Sequence, residues 1–594
     1  MEISKKNQFK NIRATGLKEF WGSKYDDDIY LWNGAKHGFT LAEIDRIKSP
    51  TLDDNFSTTE EVSIAFIECQ KIYYKFSELV GDKLNEIHKT DLPVSFWRTA
   101  FGYWFFRHIH IVYEKYSYLC KLSIDKTSIK LLDKKSFFIP NDSEEYVQCF
   151  CSDFGVQQLV SQYYYLFKSV DFPIKEKSYD IISNELKNKK QKDKFAFLKN
   201  SISLKQFLFR IITKILPLIR KPKIILLGVN YSAIFKSTLI KSKLKIQSYI
   251  LPELENLSEN IDKSKRQEFL DIKYDNNFEL YLISTLYHCF PKILIEKFNN
   301  YYEVFENDIK KKQFKYIVSE GWISNLSLSI YIAIAKNNNK EFLCQEHAAF
   351  GYLFRNNYFW YELLVSNKFI TTGWQIDNNA RILQGGIAFR RIKPYLFDRS
   401  KKNILFICHV RYPYIMEFGV NNEINSGYLK SLRMVNNFID LLPKEFTESF
   451  LLRPRSVNKY FWDSEHAWDI NKRAINIDRG NFHESIQQSK VVIIDHISSG
   501  VAELILMNVP FIIIHDNLVV PIAKEFENVF KNLSGSGVVQ NSAESTIEHL
   551  KEVYDNVDAW WRSEQVKTSI NELRSTFLAP SSNTTDLLLK LLKE

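Results

Sequence analysis

The chain has 594 residues, of which 45% are hydrophobic and 25% charged, and its formal net charge is +10. That length suggests two or three domains of ordinary size, and the composition is that of a folded globular protein. The positive charge is diluted by intermixed acidic residues, and no zinc-finger or RNA-binding signature accompanies it. We therefore expect no nucleic-acid partner.

The seven cysteines form no CxxC pair, and Cys149 and Cys151 are too close together for a usual zinc site. Scattered cysteines indicate free thiols in a reducing compartment. Residues 1–13 lack the apolar stretch of a signal peptide. The sequence contains no run of about 18 apolar residues, so we predict no membrane-spanning helix. These features predict a cytoplasmic protein.

The N-terminal part is predicted to be helical. Apolar residues, many of them aromatic, recur at three- to five-residue steps across 60–122, as they do in amphipathic helices. A polar, turn-rich stretch at 126–145 then indicates a boundary or a long loop. We assign residues 1–150 to an aromatic-rich helical region that packs on the first of two larger domains.

Residues 151–370 are predicted to form the first α/β domain. Strands at 223–228 and 246–251 are followed by a strand–helix–strand unit over 316–347, and such alternation signifies a parallel sheet. Before them, residues 207–223 are apolar with interleaved basic side chains. This segment suits either a peripheral contact with the inner face of the cytoplasmic membrane or a helix packed on its own domain.

Residues 371–594 are predicted to form a second domain of the same kind. In its clearest unit, 491–514, a β-branched strand ends at Asp495, a helix begins after Ser498 and Ser499, and a second buried strand follows. Two consecutive Rossmann-like halves that face a cleft constitute the GT-B architecture of glycosyltransferases. The predicted fold class is therefore α/β, with two Rossmann-like domains and an additional helical N-terminal region.

Polar side chains follow the strands of the second half at one edge of the sheet, where ligands of open α/β sheets bind. Guanidinium groups pair bidentately with phosphate oxygens, and a helix N-terminus with hydroxyls also favours phosphate. The candidate nucleotide-binding residues are His409, Arg411, Arg453, Arg455, Asp495, Ser498, Ser499 and Glu503. Taken singly, each arginine also fits a surface ion pair, and the serines also fit an ordinary helix cap.

The matching edge of the first half carries Glu320, Glu346 and His347. In glycosyl transfer a base takes the acceptor's proton as the donor phosphate leaves, or a carboxylate acts as a nucleophile. We interpret these three residues as catalytic, with His409 and Asp495 as the next candidates for the base. For Glu320 the alternative is an acid that the following helix N-terminus favours.

No Walker motif, GxGxxG motif or convincing Asp-x-Asp loop is present in the sequence. A metal-free mechanism is therefore predicted, without a cofactor. In such a mechanism, side chains and helix dipoles stabilise the leaving phosphate.

Several ordered motifs resemble those of one bacterial family. They are Gly-Leu-Lys-Glu-Phe-Trp at 16–21, Ile-Tyr-Leu-Trp-Asn at 29–33, Leu-Asn-Glu-Ile-His at 84–88, Phe-Trp-Arg at 96–98, Gly-Tyr-Trp at 102–104, Tyr-Glu-Lys-Tyr at 113–116, Gln-Glu-His at 345–347 with Gly351, Phe-Ile-Thr-Thr-Gly-Trp at 369–374, and the segment 495–510. The family comprises transferases of surface-carbohydrate biosynthesis of about this length. The resemblance covers nearly the whole chain and implies a GT-B-like transferase.

The resemblance has two finer implications. The family tends to have Gln-His-Gly-Gly where this chain has Gln-Glu-His-Ala-Ala at 345–349. If the histidines match, the role carries over to His347 and not to Glu346. The segment 495–510 also resembles the nucleotide-binding part of transferases that use CMP-activated ulosonic acids such as Kdo or sialic acid, which implies that class of donor.

The leading hypothesis is a glycosyltransferase that moves a sugar from a nucleotide-sugar donor to a bacterial surface glycan, as in lipopolysaccharide or capsule, or to its lipid-linked precursor. Two alternatives stay open. A CDP-alditol-dependent transferase of a phospho-alditol group would leave a phosphodiester in its product. A non-catalytic glycan- or nucleotide-binding protein of the same fold would bind a nucleotide without turnover.

Overall fold

The protein is described by a computed structural model. It covers residues 10–21, 29–47, 51–52, 55–122, 127–167, 175–177, 221–227, 241–243, 245–252, 260–320, 325–347, 349–357, 359–375, 379–387, 392–409, 411–419, 427–455, 462–473, 475–518 and 520–594. Of the apolar and basic segment predicted at 207–223, residues 207–220 lie outside the described residues. Within the ranges given, no helix is both long and apolar enough to cross a membrane.

The N-terminal region combines short strands with aromatic-rich helices. Strands β1 (Lys10–Arg13), β2 (Ile29–Tyr30) and β3 (Thr127–Ser128) form a parallel sheet of order β2-β1-β3, and β4 (Lys130–Leu132) pairs with β5 (Lys175–Lys177). The helices are α1 (Leu41–Arg46), α2 (Thr59–His88), α3 (Val94–Ala100), α4 (Gly102–Leu119), α5 (Ser143–Phe150) and α6 (Asp153–Phe167). The predicted helices across 60–122 are thus confirmed.

The first parallel sheet has six strands in the order β11-β10-β9-β8-β6-β7. They are β6 (Ile224–Leu227), β7 (Ile246–Tyr249), β8 (Tyr316–Glu320), β9 (Glu341–Gln345), β10 (Lys368–Thr371) and β11 (Ile382–Gln384). The helices are α7 (Lys263–Gln267), α8 (Asn277–Cys289), α9 (Phe298–Lys311), α10 (Leu326–Asn337) and α11 (Phe359–Val365). Because β11 pairs with β10, this sheet extends past the division expected at 370/371.

The second parallel sheet has the order β14-β13-β12-β15-β16-β17. Its strands are β12 (Asn403–Ile407), β13 (Phe450–Arg453), β14 (Asn476–Ile477), β15 (Ser489–Ile494), β16 (Phe511–Ile514) and β17 (Val539–Gln540). Its helices are α12 (Gly427–Leu441), α13 (Lys444–Thr447), α14 (Ser464–Ala467), α15 (Phe482–Gln488), α16 (Ser499–Met507), α17 (Glu527–Gly535), α18 (Ala543–Val553), α19 (Val557–Trp561) and α20 (Glu564–Phe577). The prediction of two Rossmann-like α/β halves is confirmed.

The central unit of the second half forms for local reasons. Val491 and Ile494 are each 0% exposed, as β-branched residues of a strand covered on both faces should be. Ser498 caps α16, its Oγ accepting a hydrogen bond from Gly500 N at 3.2 Å. The helix ends at Asn508, whose φ of 61° is in the left-handed region that asparagine tolerates.

Among the described residues, the chain passes between the halves near 387 and near 579, and these two crossings lie side by side. The last helix, α21 (Ser581–Leu591), returns to the first sheet, where Leu588 joins the core cluster of Ile224 and Leu226. On the way, Ala579 O accepts a hydrogen bond from Ile387 N at 3.0 Å. The approach is close, since a Cβ on Gly386 would lie 2.0 Å from Pro580 O.

The N-terminal region contacts both halves, whereas we expected it to pack on the first. Its helix α4 ion-pairs with the second half through Arg107 and Glu417, at 3.2 Å. The backbone N–H of Phe418 also donates to His110 Nδ1 at 2.7 Å. Apolar side chains of α1 belong to the core cluster of the second half. This region therefore braces the two halves against each other.

Candidate functional site

A cavity of about 350 Å³ lies at the carboxyl ends of four neighbouring strands of the second sheet. Strands β12, β15, β16 and β17 are each followed, within two positions, by a residue that lines it, namely His409, Asp495, His515 and Asn541. Phe354 of the first half lines another side. The cavity thus lies where the halves meet, at the edge that the sequence predicts for a nucleotide.

The cavity includes the point where the chain reverses its direction across the sheet. From β12 the chain builds outward through β13 to β14, and from β15 it builds the other way through β16 to β17. Ligands of open parallel sheets bind in the crevice at such a switch point. Among the hydrogen bonds that cross this point is that from His409 N to Asp495 Oδ1, at 2.7 Å.

The Asp495 carboxylate is fixed beneath the cavity by three donors. Besides His409 N, it accepts from the Arg411 guanidinium and from His496 Nδ1, the latter at 3.0 Å. Burial alone would raise the pKa of Asp495, but the charge of Arg411 and the hydrogen bond from His496 hold this pKa well below its usual value. Asp495 is therefore an ionised anchor that orients the His496 ring.

The Arg411 side chain is fully buried and serves the same anchor. Its guanidinium donates to Asp495, to Ser431 Oγ at 2.6 Å and to His409 O at 3.0 Å. These bonds tie the end of β12 to α12 and to the end of β15. The structure therefore places Arg411, a predicted nucleotide ligand, as a support of the cavity floor.

Two imidazoles stand side by side at the switch point. The rings of His409 and His496 have centroids 4.6 Å apart, and both residues line the cavity. Burial lowers the pKa of His409 well below its ordinary value, and the nearby His496 and Arg411 side chains act in the same direction, against the opposing effect of Asp495. His409 is therefore neutral at neutral pH. Because His496 Nδ1 is bonded to Asp495, Nε2 is the nitrogen of His496 that can meet a ligand.

The two arginines predicted after β13 have different surroundings. Arg453 Nη1 donates to Asp478 Oδ2 at 2.5 Å and to Gly480 O at 3.1 Å, and its guanidinium lies 5.5 Å from the centre of the Phe482 ring. Arg455 is exposed, and its charge acts on His409. The structure thus pairs Arg453 with Asp478 and leaves Arg455 exposed, outside the residues that line the cavity.

The remaining predicted residues of this half lie on α16. The Ser498 hydroxyl is occupied as the helix cap, and Ser499 is the first helical residue. Glu503 Oε2 pairs with His483 Nε2 at 2.7 Å on the partly exposed side of the helix. Since Ile497 lines the cavity, the N-terminus of α16 lies beside it, and its N–H groups favour an anion there.

In the first half, the predicted catalytic residues follow two adjacent strands. Glu320 ends β8 and is in register with Gln345, the last residue of β9. Glu346 and the exposed His347 come directly after Gln345. The structure therefore brings the three positions to one edge of the sheet.

The Glu346 side chain turns into the protein. Its Oε2 accepts hydrogen bonds from Thr372 N and Thr372 Oγ1, both at 2.9 Å, and from Trp374 Nε1 at 2.7 Å. The residue is only 6% exposed, and burial raises its pKa to about 7, although these hydrogen bonds oppose that rise. This geometry holds the turn after β10.

The segment that begins with Glu346 ends at the cavity. Within it, Leu353 O accepts a hydrogen bond from Ala523 N at 2.8 Å, and Arg355 N donates to Pro521 O at 3.1 Å. Phe354, between them, lines the cavity. One loop therefore connects the edge of the first sheet to the cavity in the second half.

A sequence profile of the LIC12162 family transferases matches residues 11–592. The chain belongs to this family. The predicted transferase class is confirmed at this level, and no protein of curated function matches the sequence.

Several solved structures match this LIC12162 family transferase at low similarity. A glycotransferase of kitacinnamycin is 9% identical, with 63% of this chain and 99% of that chain covered and a TM-score of 0.34. MurG from Acinetobacter baumannii is 10% identical, with 63% and 99% covered and a TM-score of 0.32. The wall teichoic acid polymerase TagF is 13% identical, with 69% and 97% covered and a TM-score of 0.30. Such scores carry no argument about the reaction.

Several residues that line the cavity of this family member were not among the predicted site residues. His496, His515, Asn541 and Ser542 line the cavity, yet none was singled out. The rule that selected Asp495 after β15 applies equally to His515 after β16, because all parallel strands end at the same edge. Strand β17 has only two residues, too few to predict from sequence, and so Asn541 gave no signal.

Proposed function

We propose that this protein is a glycosyltransferase that holds the nucleotide of an activated sugar donor in the cavity at the ends of β12, β15, β16 and β17. The observation that carries the proposal is this cavity's place at the topological switch point, in a chain whose family consists of transferases. The first half then supplies the acceptor side.

The donor phosphate would occupy the end of the cavity near β12 and β15. There, the neutral His409, the Nε2 side of His496 and the N-terminus of α16 lie at the switch point, and the exposed Arg455 would reach the phosphate from beyond the cavity lining. Such donors suit an anion whose charge grows as it leaves. Asp495 and Arg411 would position these groups from below. Arg453 and Glu503, which have protein partners, would stabilise the surrounding loops.

The acceptor hydroxyl would approach from the edge of the first sheet. As its oxygen bonds to the anomeric carbon, the bond from that carbon to the donor phosphate breaks, and a base takes the hydroxyl proton. Glu320 and His347 are the candidates for that base. Glu346, with Oε2 bound to Thr372 and Trp374, would instead position the loop that leads to Phe354.

We assign the donor to the CMP-activated ulosonic acids, of which Kdo is an example, and the acceptor to a bacterial surface glycan or its lipid-linked precursor. The resemblance of segment 495–510 to transferases of that donor class supports this assignment. We further propose that the enzyme is cytoplasmic, with peripheral contact at the inner face of the membrane. We also propose that its reaction needs no metal.

The decisive experiment has two stages. Nucleotides and nucleotide sugars are first screened for thermal stabilisation, since a ligand at about 100 times its Kd adds about 2.7 kcal/mol to stability. The stabilising donor is then incubated with glycan acceptors, and the product is analysed by mass spectrometry. A glycoside supports the proposal, whereas a phosphodiester would show transfer of a phospho-alditol. Binding without any product would show a non-catalytic protein.

A further inference from the structure

His515 is a buried side chain in the cavity whose hydrogen-bonding capacity is only half used. The residue directly follows β16, lines the cavity and is 9% exposed. Its Nε2 has no hydrogen-bond partner among the residues that the structure describes. A buried polar atom without a partner is unfavourable, and a ligand in the cavity can restore the missing hydrogen bond by bonding to it.

The other ring nitrogen fixes the chemical character of Nε2. Burial lowers the pKa of His515, and a hydrogen bond with the Val520 backbone opposes that fall, as donation from the ring to a carbonyl oxygen does. Because Nε2 is unpartnered, the donor in that bond is Nδ1–H. Burial is the larger effect and lowers the pKa of His515 to about 4, so the ring is neutral at neutral pH. Neutral imidazole with a proton on Nδ1 leaves Nε2 as a hydrogen-bond acceptor.

His515 also lies away from the phosphate end of the cavity. Strand β16 is the second neighbour of β12, and β17 is the third, so the cavity spans roughly 14 Å across the sheet at about 4.8 Å per strand. With phosphate groups at His409 and His496, an elongated nucleotide places its base near His515 and Asn541. Apolar side chains of Ile514 and Val520 line the same part.

We propose that His515 reads the donor's nucleobase, its Nε2 accepting a hydrogen bond from an exocyclic amino group such as that of cytosine. Uracil presents a carbonyl oxygen at the equivalent position, which would set two acceptors against each other. This inference rests on the proposed function, because it assumes that the cavity holds a nucleotide. It adds a specificity-determining residue that discriminates between bases of the same size.

CMP and UMP are the matched probes, and calorimetry on the full chain is the measurement. We expect CMP to bind roughly 10–100-fold more tightly than UMP, the range that corresponds to an unpaired buried acceptor. His515→Phe keeps the ring contact with Phe530. In this variant the affinity for CMP should fall towards the affinity for UMP. In His515→Gln, whose amide both donates and accepts, the preference should fall through tighter UMP binding.

The control is His466→Gln, a substitution of an exposed histidine outside the cavity lining, which should keep the wild-type preference for CMP. Circular dichroism and thermal melting establish that each variant is folded; should His515→Phe not fold, His515→Gln and the wild type still decide. Equal affinity of the wild type for CMP and UMP would overturn the role of His515 while leaving a nucleotide site. Binding of neither nucleotide, nor of any other, would overturn the proposed function together with it.

Discussion

The two halves contain similar parallel sheets, yet each uses the acidic residue at its central strand end differently. In the second half, Asp495 is buried, ionised and bonded to His496, and so it presents an imidazole to the cavity. In the first half, Glu346 is equally buried but bonds to Thr372 and Trp374, and its pKa is raised to about 7.

The contrast shows that a carboxylate after a parallel strand is not in itself a sign of chemistry. What decides its role is the group it holds. Asp495 orients a side chain that can meet a ligand, whereas Glu346 stabilises a turn. In the first half, we therefore keep Glu320, in register with Gln345, and His347, which follows Glu346, as the proposed candidates for the base.

The strongest test of this contrast is turnover. If the base lies on the first sheet's edge, Glu320→Gln or His347→Ala should lower kcat by about 10²–10⁴-fold while nucleotide affinity stays unchanged. Glu346→Gln should lower kcat much less, because the glutamine carbonyl can still accept the hydrogen bond from Trp374. The measurement is steady-state kinetics with the identified donor and acceptor. Near-wild-type turnover in both Glu320→Gln and His347→Ala would move the base to the second half, with His409 next to be tested.

The second test removes the anchor of the second half. Asp495→Ala leaves the Arg411 guanidinium buried without its counter-ion, and we expect a loss of about 3–5 kcal/mol in the free energy of unfolding. Urea denaturation measures it. Asp516→Ala is the matched control, since Asp516 lines the same cavity but is exposed. Equal, small losses in both variants would show that Asp495 is not an anchor.

The third test separates the two arginines. Arg455→Ala should weaken nucleotide binding by about 1.5–3 kcal/mol, the scale of a charge-assisted hydrogen bond, with little effect on folding. Arg453→Ala should act mainly on stability, because it breaks the pair with Asp478. Calorimetry and thermal melting on both variants give the comparison. Unchanged affinity in both would remove the arginines from the phosphate site.

The fourth test uses the pH dependence of stability. The folded-state pKa of Glu346, about 7, exceeds its ordinary value of 4.5. Protonation of Glu346 therefore stabilises the folded state, and this contribution is complete below about pH 4.5. That contribution is lost as the pH rises through about 7. Relative to Glu346→Gln, the wild type should therefore lose about 1–3 kcal/mol between about pH 5 and pH 8. If the difference in the free energy of unfolding between the wild type and Glu346→Gln is the same at pH 5 and pH 8, the pKa of Glu346 is not raised.

The smallest expected effect is that of metal removal. We predict that turnover is unchanged after dialysis against EDTA, because side chains and the N-terminus of α16 would neutralise the leaving phosphate. Assays with and without added Mg²⁺ or Mn²⁺ provide the measurement. A loss of activity on chelation that Mg²⁺ restores would show a metal-assisted reaction.

The sequence was sufficient for the fold where the elements are long and strongly patterned. The β-branched runs of β15 and β16, with Ser498 between them, predicted a strand–helix–strand unit that the structure reproduces. Two features were beyond its reach. Strand β14 has two residues, and α21 follows the helices of the second half along the chain but packs on the first sheet. Neither length nor periodicity carries such long-range information.

The sequence predicted at which edge of the sheet the candidate site lies, but not which side chains contact each other there. Sequence order put His409, Asp495 and the residues after β13 at one edge of the sheet. It could not show that Arg453 is taken up by Asp478, because that partner lies 25 residues further along the chain. Nor could it show that Glu346 turns inward, since its partners belong to the next strand's turn.

The side-by-side crossings at 385–387 and 578–580 have a mechanical consequence. The two segments are joined by the hydrogen bond from Ile387 N to Ala579 O, so a change in the relative position of the halves would have to bend both segments together. On the N-terminal side, the pair of Arg107 with Glu417 would have to separate for the cleft to open widely. The two halves are thus connected by two adjacent chain segments, and the N-terminal region links them a second time through the Arg107–Glu417 ion pair.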